Sequence, residues 1–353
     1  MKTAHLVIAD LFLPKEIVAE ACAGLRLPAL EKLLARGIST GSARTDVSRM
    51  PFENYLCTLF DAPQQAVAPV SAVFDGLGEG CWLRADPAHL CLQREQVVFL
   101  PDMVIGADEA EQFCRSLNEY FAGQGMEFFA PHPQRWYVRL DRLPDVETAA
   151  LSQVVWRNID GFLPRGAEAT RWRQIFNEIQ MLLFSHPLNA AREARGELAI
   201  NGVWLWGAGR TGVLPPQKNY DNVSSDEVLV EMLAAAAGIP FAEWAGQWNG
   251  SLALAPPPLQ REREFSSEGR QLLVFTGLRS VLRRGDLAGW RDALQNFETG
   301  YAQPLWQGVR SGEITQLQIE VVGEDAVWRA EVNRGDAWAF WRRTKPLNEY
   351  FSG

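Results

Sequence analysis

Histidine is scarce in this sequence: His5, His89, His132 and His186 are the four in 353 residues. None stands at a metal-ligand spacing from another donor and none follows position 186, so a histidine-rich transition-metal centre is not provided for. Cysteine is equally thin. Cys22, Cys57, Cys81, Cys91 and Cys114 are odd in number and never form C-x-x-C, which excludes a disulfide framework and argues for reduced thiols. No apolar run nears the ~18 residues of a membrane span. Asp10, Pro14, Lys15 and Glu16 break the first apolar stretch too early for a secretory signal. The chain is therefore expected in the cytoplasm, with no membrane partner. Basic residues are outnumbered by 43 to 34, for a net charge of −9, so no nucleic-acid partner is expected. The tightest basic cluster, Arg342, Arg343 and Lys345, is short and reads as a solvated tail. There is no Walker loop, no G-x-S-x-G elbow, no internal repeat and no low-complexity tract.

What is present is an ordinary globular balance, 47% hydrophobic and 22% charged. Residues 5–9 read as a short buried strand ending at Asp10. A helix opens at Pro28, presents Leu30, Leu33 and Leu34 on one face, and closes at Gly37. The Pro/Gln/Ala stretch at 62–72 reads as a linker. Beyond it, strand-like runs at 97–100 and 136–140 flank a helix carrying Phe113, Leu117, Tyr120 and Phe121. Residues 171–185 carry the clearest helical spacing, and Pro187 biases His186 out of the helix. A strand at 202–206 is expected to run into a glycine turn. Ser224 and Glu227 read as a capping box for a helix ending at Gly238. Residues 255–268, rich in proline and charge, read as an exposed loop. A strand at 271–275, a helix carrying Trp290, Leu294 and Phe297, and strands near 316–321 and 326–332 follow. Alternating strands and helices imply a layered, mainly parallel sheet.

Two local motifs invite a chemical reading. Residues 207–212 fit G-x-G-x-x-G after a strand, but Pro215 and Pro216 follow at once and no helix opens there to face a pyrophosphate. A tight turn is expected instead, and no cofactor. The acidic loop from Asp75 to Glu79 resembles a metal loop but precedes a strand, where glycine-rich segments are commonly turns.

The run from His186-Pro187-Leu188-Asn189 through Arg192 and Gly196 to Asn201-Gly202-Val203-Trp204-Leu205-Trp206-Gly207-Ala208-Gly209 is specific. It resembles the H-P-V-N-x-x-R-x-x-x-G-x-x-x-A-N-x-x-x-x-x-G-x-G signature of the archaeal-type cofactor-independent phosphoglycerate mutases, of the alkaline-phosphatase-like superfamily. Weaker similarities occur in the same order: Leu30 to Gly37, Gly78 to Arg84, Pro131 with Arg135, and Val228 to Pro240. The W-L-W-G-x-G form is similar to a degenerate bacterial branch, the E-type regulators of pathogenicity factors. The resemblance implies an α/β fold with a doubly wound, mainly parallel sheet built from residues 1–60 and 150–345, and a smaller α/β domain inserted at 66–145. It also implies that Arg84, Arg135, His186, Asn189, Arg192, Asn201, Gly207 and Gly209 converge on one ligand cleft at the C-terminal ends of the parallel strands.

The departures from the family pattern bear on activity. Asp10 matches the first acid after strand one, but Pro14 replaces the second. In the run Ser48 to Leu56, Pro51 stands at the nucleophile position and Phe52 at the following aspartate; of the late acid–histidine cluster only Gly285-Asp286 remains. Phosphoryl transfer through a covalent intermediate needs a hydroxyl nucleophile and cations to neutralise developing charge. The expectation is a protein without catalytic residues, in which Asp10, Asp86 and Asp286 do not hold a metal tightly. It would bind a phosphorylated metabolite or a protein partner in a regulatory role. The alternative is an active metal-dependent phosphomutase or phosphatase using Ser39, Thr40, Ser42 or Thr45 as nucleophile, with Asp10, Asp86 and His89 as ligands.

Overall fold

The computed structural model describes residues 2–39, 50–101, 103–213, 215–243, 269–324 and 326–352. Thr40, Ser42, Thr45, Ser48, Arg49 and the stretch 255–268 lie outside them. The strands in chain order are β1 (Lys2–Ala9), β2 (Ile38–Ser39), β3 (Cys81–Gln93), β4 (Gln96–Leu100), β5 (Met126–His132) and β6 (Arg135–Leu140). They continue as β7 (Gly202–Arg210), β8 (Asn222–Ser225), β9 (Phe241–Glu243), β10 (Gly269–Phe275), β11 (Gln316–Val322) and β12 (Val327–Asn333).

Two compact units form, one from residues 1–50 with 218–353 and one from 51–217. The first carries a seven-stranded sheet in the order β2-β12-β11-β1-β10-β8-β9. Strand β1 runs parallel to β10 and β11, β8 parallel to β10, and β9 parallel to β8; β12 and β2 add antiparallel pairs at one edge. The mainly parallel α/β architecture expected from the alternating pattern is present. Leu6, Val7, Ile8 and Ala9 are wholly buried, which is why β1 reads as a continuous apolar run and not as an alternation. Leu6, Ile8, Leu273, Leu317 and Ile319 pack with helices Pro28–Arg36, Leu287–Phe297 and Gln303–Ser311. The buried Glu298 carboxylate accepts from Ala29 N at 2.7 Å and Leu30 N at 2.9 Å. It satisfies orphan donors at a helix N-terminus, where negative charge is favoured.

The second unit is larger than the inserted domain expected at 66–145, and its sheet is antiparallel. Strand β3 pairs with β4, β6 and β7, and β5 with β6, every pair antiparallel. The strand expected to join the parallel sheet, β7, belongs here, because its partner is β3. One sheet face buries Leu83, Ala85, Trp136, Val138, Val203 and Leu205 against helices Ala107–Tyr120 and Ala169–Phe184. The other meets helix Val67–Phe74, whose Ala68 and Ala72 pack on Trp82 and Tyr137.

Two further local expectations are corrected and one is extended. Residues 62–72 are no linker: a short turn at Gln64–Ala66 leads into helix Val67–Phe74, whose small side chains allow close approach to the sheet. Pro187 leaves His186 outside the preceding helix, as expected, and itself starts a further helix, Pro187–Ala194, which the sequence reading does not give, at a position where its missing N–H costs nothing. Ser224 is strand, and helix Val228–Ala236 is capped by Glu227, whose side chain accepts from Leu229 N at 3.2 Å.

Candidate functional site

Alternation along a strand places residues 82, 84 and 86 on one face of β3, and register does the rest. Arg84 lies opposite Tyr137 on β6 and Trp206 on β7. Its guanidinium pairs with Asp86 and lies 5.2 Å from the Tyr137 ring centre and 5.7 Å from that of Trp206. Trp206 Nε1 donates to Asp86 Oδ2 at 2.5 Å. Arg135 reaches Asp75, at the end of helix Val67–Phe74, through Nε at 3.0 Å and Nη2 at 2.8 Å, a bidentate clasp. The Tyr137 hydroxyl donates to the same carboxylate. Asp86, weighed above as a metal donor, is thus the counter-ion of Arg84. Asp75, read as part of a turn, is the hinge of the cluster.

These contacts set the titration behaviour. Burial alone would raise the Asp75 pKa, but hydrogen bonds from Arg135 and Tyr137 and the charge of Arg84 outweigh it and hold the carboxyl below its usual range. Burial would lower that of Arg84, and Asp86, Tyr137 and Asp75 more than restore it. Burial pushes the Tyr137 phenol upward. His132 is lowered by burial and then by the charge of Arg135. Because the folded Asp75 binds its proton more weakly than the unfolded chain does, it contributes stability that is complete above the ordinary carboxyl pKa of about 3.9. That contribution is lost as pH falls below it. Acid titration of unfolding should therefore show a falling limb below about pH 4 that flattens in Asp75→Asn; an unchanged limb would remove Asp75 from the account.

The 186–209 run does something different. Asn189 Nδ2 donates to Leu183 O at 2.7 Å and Ile200 O at 2.9 Å, and its Oδ1 accepts from Ile200 N at 2.8 Å. Arg192, 1% exposed, spends Nε on Leu198 O, Nη1 on Glu109 and Nη2 on Val104 O, at 2.8, 2.7 and 2.9 Å. Asn201 bridges Leu90 N and O at 2.6 and 3.0 Å. His186 caps its helix, with Nδ1 accepting from Leu188 N at 3.3 Å and Nε2 lying 3.0 Å from Ser116 Oγ. With Nδ1 an acceptor, the neutral ring carries its proton on Nε2 and donates to Ser116. That tautomer cannot take a proton from the hydroxyl, so the pair is no nucleophile–base dyad. Of the motif 207–212, read as a tight turn, Gly207 and Gly209 are strand residues, and the turn is confined to its end, at Gly212 with φ +77°.

The eight ligand-binding candidates therefore do not converge as expected. All lie in the antiparallel unit, not at the C-terminal ends of parallel strands. Arg84 and Arg135 share one polar cluster through Asp75 and Tyr137. Asn189, Arg192 and Asn201 hold backbone of neighbouring segments, His186 caps its own helix and meets the Ser116 side chain, and Gly209 admits close packing.

In the parallel-sheet unit, the loops after β1, β8 and β10 open at one sheet edge. Asp10 follows β1 in a left-handed conformation, φ +54°, its N–H bonded to Val322 O at 2.8 Å. Arg279 Nε stands 3.1 Å from Asp10 Oδ2, with 14% and 10% of the two side chains exposed. Asp226, after β8, accepts from Thr276 N at 2.8 Å, and burial raises its pKa. Asp286 caps helix Leu287–Phe297 through Gly289 N at 2.8 Å. Among the described residues no group of three or more His, Cys, Asp or Glu could hold a metal ion. The described donors do not make up the cation site that the phosphoryl transfer considered above would need. Asp86 and His89 belong to the antiparallel unit. Pro51 precedes helix Phe52–Leu59, and Phe52 is buried in core.

No family model matches the chain. The 2,3-bisphosphoglycerate-independent phosphoglycerate mutase of Methanosarcina acetivorans is 24% identical over 319 residues, 82% of this chain and 76% of that protein. The protein of the same name from Methanosarcina mazei is 26% identical over 200 residues, 52% of this chain and 48% of its own. This chain thus spans about half the length of the latter relative. Among solved structures, a cofactor-independent phosphoglycerate mutase from Thermoplasma acidophilum gives a TM-score of 0.44 at 15% identity, covering 100% of this chain and 95% of that one. A Pyrococcus horikoshii protein gives 0.48 at 14%, covering 93% and 86%. The chain is a distant homologue of the cofactor-independent phosphoglycerate mutases. No described helix is long and apolar enough to cross a membrane.

Proposed function

We propose that this chain is a phosphoglycerate-mutase-like protein that has lost metal-dependent phosphoryl transfer and binds a small phosphorylated metabolite in a regulatory role. The observation that carries the loss is the Arg279 guanidinium 3.1 Å from Asp10. A guanidinium is a permanent cation and supplies charge to that carboxylate. It offers no open coordination position and no metal-bound hydroxide. Pro51 and the buried Phe52, at the positions the family resemblance gives to the nucleophile and its neighbour, bring no hydroxyl.

Binding is assigned to the Arg84–Arg135 cluster. Arg135 keeps 19% of its side chain exposed, and Arg84 Nε is buried without a hydrogen-bond partner among the described residues. Planar guanidinium forks suit phosphate and carboxylate without a metal. The expected result is no stoichiometric manganese, zinc or cobalt after purification without chelators, and no turnover of 3-phosphoglycerate or of a phosphomonoester. Metal that leaves together with activity in Asp10→Ala would establish the active phosphomutase or phosphatase instead. In the same preparations 3-phosphoglycerate at one hundred times its Kd should stabilise the fold by about 2.7 kcal/mol. Arg135→Ala should abolish that shift. Its absence in the parent chain would end the binding assignment and leave the loss of catalysis to stand on the assays.

A further inference from the structure

Residues 338–345 follow the short helix Arg334–Ala337 and read Trp-Ala-Phe-Trp-Arg-Arg-Thr-Lys. Three of their side chains are large, aromatic and in solvent: Trp338 is 57% exposed, Phe340 82% and Trp341 69%. Single exposed apolar residues are unremarked in proteins, but a contiguous group marks a contact surface. The backbone that presents them is held. Ala339 is buried, and Ala339 N, Phe340 N and Arg342 N bond to Asp336 O, Trp338 O and Ala339 O at 3.0, 2.8 and 3.0 Å. Phe340 and Trp341 meet edge to face with ring centres 5.3 Å apart.

The surroundings of these rings are cationic. Arg310 lies 5.2 Å from the Trp338 ring centre, and Arg342, Arg343 and Lys345 follow the aromatics directly. Asp336 is buried and answers Arg342 at 3.0 Å, while Glu349 stands 3.9 Å from Lys345. A positive aromatic face thus sits on a chain of net charge −9. A second copy placed patch on patch would set these cations against one another. Protruding Trp and Phe rings beside Arg and Lys are the chemistry of the boundary between lipid headgroups and acyl chains. Aromatic rings settle there, and the cations meet lipid phosphates. We propose that residues 338–345 dock the protein onto an anionic lipid bilayer surface, with Phe340 and Trp341 entering the headgroup boundary and Arg343 and Lys345 facing lipid phosphates. The earlier expectation of no membrane partner rested on the want of a spanning segment, which does not bear on contact with a surface.

The test uses the full chain with vesicles of phosphatidylcholine alone and of phosphatidylcholine with phosphatidylglycerol. Co-sedimentation is expected with the anionic vesicles only, weakening as salt is raised. The double variant Phe340→Ser/Trp341→Ser should partition roughly tenfold more weakly, and Arg343→Ala about fivefold more weakly. Both should melt with the parent, since the altered side chains are exposed. Failure of the parent chain to sediment with anionic vesicles overturns the proposal, as does binding that the double variant leaves unchanged. A dimer found by light scattering without vesicles, and dissociated by the double variant, would assign the surface to a second copy and overturn it equally.

Discussion

Arg192→Ala should destabilise the antiparallel-sheet unit by about 3 kcal/mol, the scale of losing hydrogen bonds from a charged group together with buried side-chain packing. The guanidinium is 1% exposed and ties three segments, taking the carbonyls of Leu198 and Val104 and the carboxylate of Glu109. Its removal takes the charged donor away from the partly buried carbonyls of Leu198 and Val104 and leaves the volume of a buried side chain unfilled. Glu109 keeps Arg195 at 2.7 Å and its helix-capping bond to Gly106 N at 3.1 Å, so the carboxylate is less exposed to loss than the carbonyls. Arg192→Lys should recover only part of the deficit, because an ammonium cannot reproduce the fork. Chemical denaturation of parent and variants decides it. A cost below about 1 kcal/mol for Arg192→Ala would mean that the carbonyls find other partners. The same experiment separates a structural arginine from a ligand arginine, since a ligand contact would be expected to change binding and leave melting untouched.

Gly209→Ala should cost about 3 kcal/mol, at the upper end of what overpacking does in a dense core. A Cβ there would lie 1.8 Å from Gln65 O and 2.9 Å from Pro69 Cγ. The clash is with a backbone carbonyl of the turn Gln64–Ala66 that leads into helix Val67–Phe74, so relief requires that turn to lift from β7. Gly207 is the control. A Cβ at that position meets nothing nearer than 3.7 Å, and its φ of +70° is the only obstacle. Gly207→Ala should therefore cost about 1–2 kcal/mol, the ordinary penalty for a left-handed residue carrying a side chain. Gly209 has no left-handed φ of its own, so a loss there no larger than at Gly207 in a denaturant series would show that the Gln65 carbonyl yields to the added Cβ and that close approach does not set the requirement for glycine.

Both sites lie in the run that most resembled the mutase signature, and both act on packing. Polar residues at fixed spacing can hold a ligand or hold backbone, and spacing alone does not separate the two. The separating information is which segment faces the run, and that segment comes from far along the chain. Glu109 lies 83 residues from Arg192, and Asp75 lies 60 from Arg135. The Arg84 cluster left a fainter trace, a charged and aromatic set at alternate positions 82, 84 and 86 on one strand and 135, 137 and 139 on another. Alternation of that kind announces a shared face, but not that the two faces are neighbours.

The sequence by itself determined the element types where one physical signal dominated. The unbroken apolar run of β1, the Pro28 start of the helix that carries Leu30, Leu33 and Leu34, and the helical spacing of Trp172 to Leu183 each needed only local sterics and burial. It also determined what Pro51 and Phe52 cannot supply, because a missing hydroxyl is a property of the residue wherever it folds. Tertiary structure decided the rest. The same alternation serves a parallel or an antiparallel strand, so only pairing with β3 could put β7 in the second unit. Helix Val67–Phe74 is short and made of small residues, with little amphipathic contrast to mark it, and it is fixed by the sheet it covers. Asp10 looked like a lone metal acid because its partner, Arg279, is brought to it from 269 positions along the chain (279 − 10) by the parallel pairing of β1 with β10.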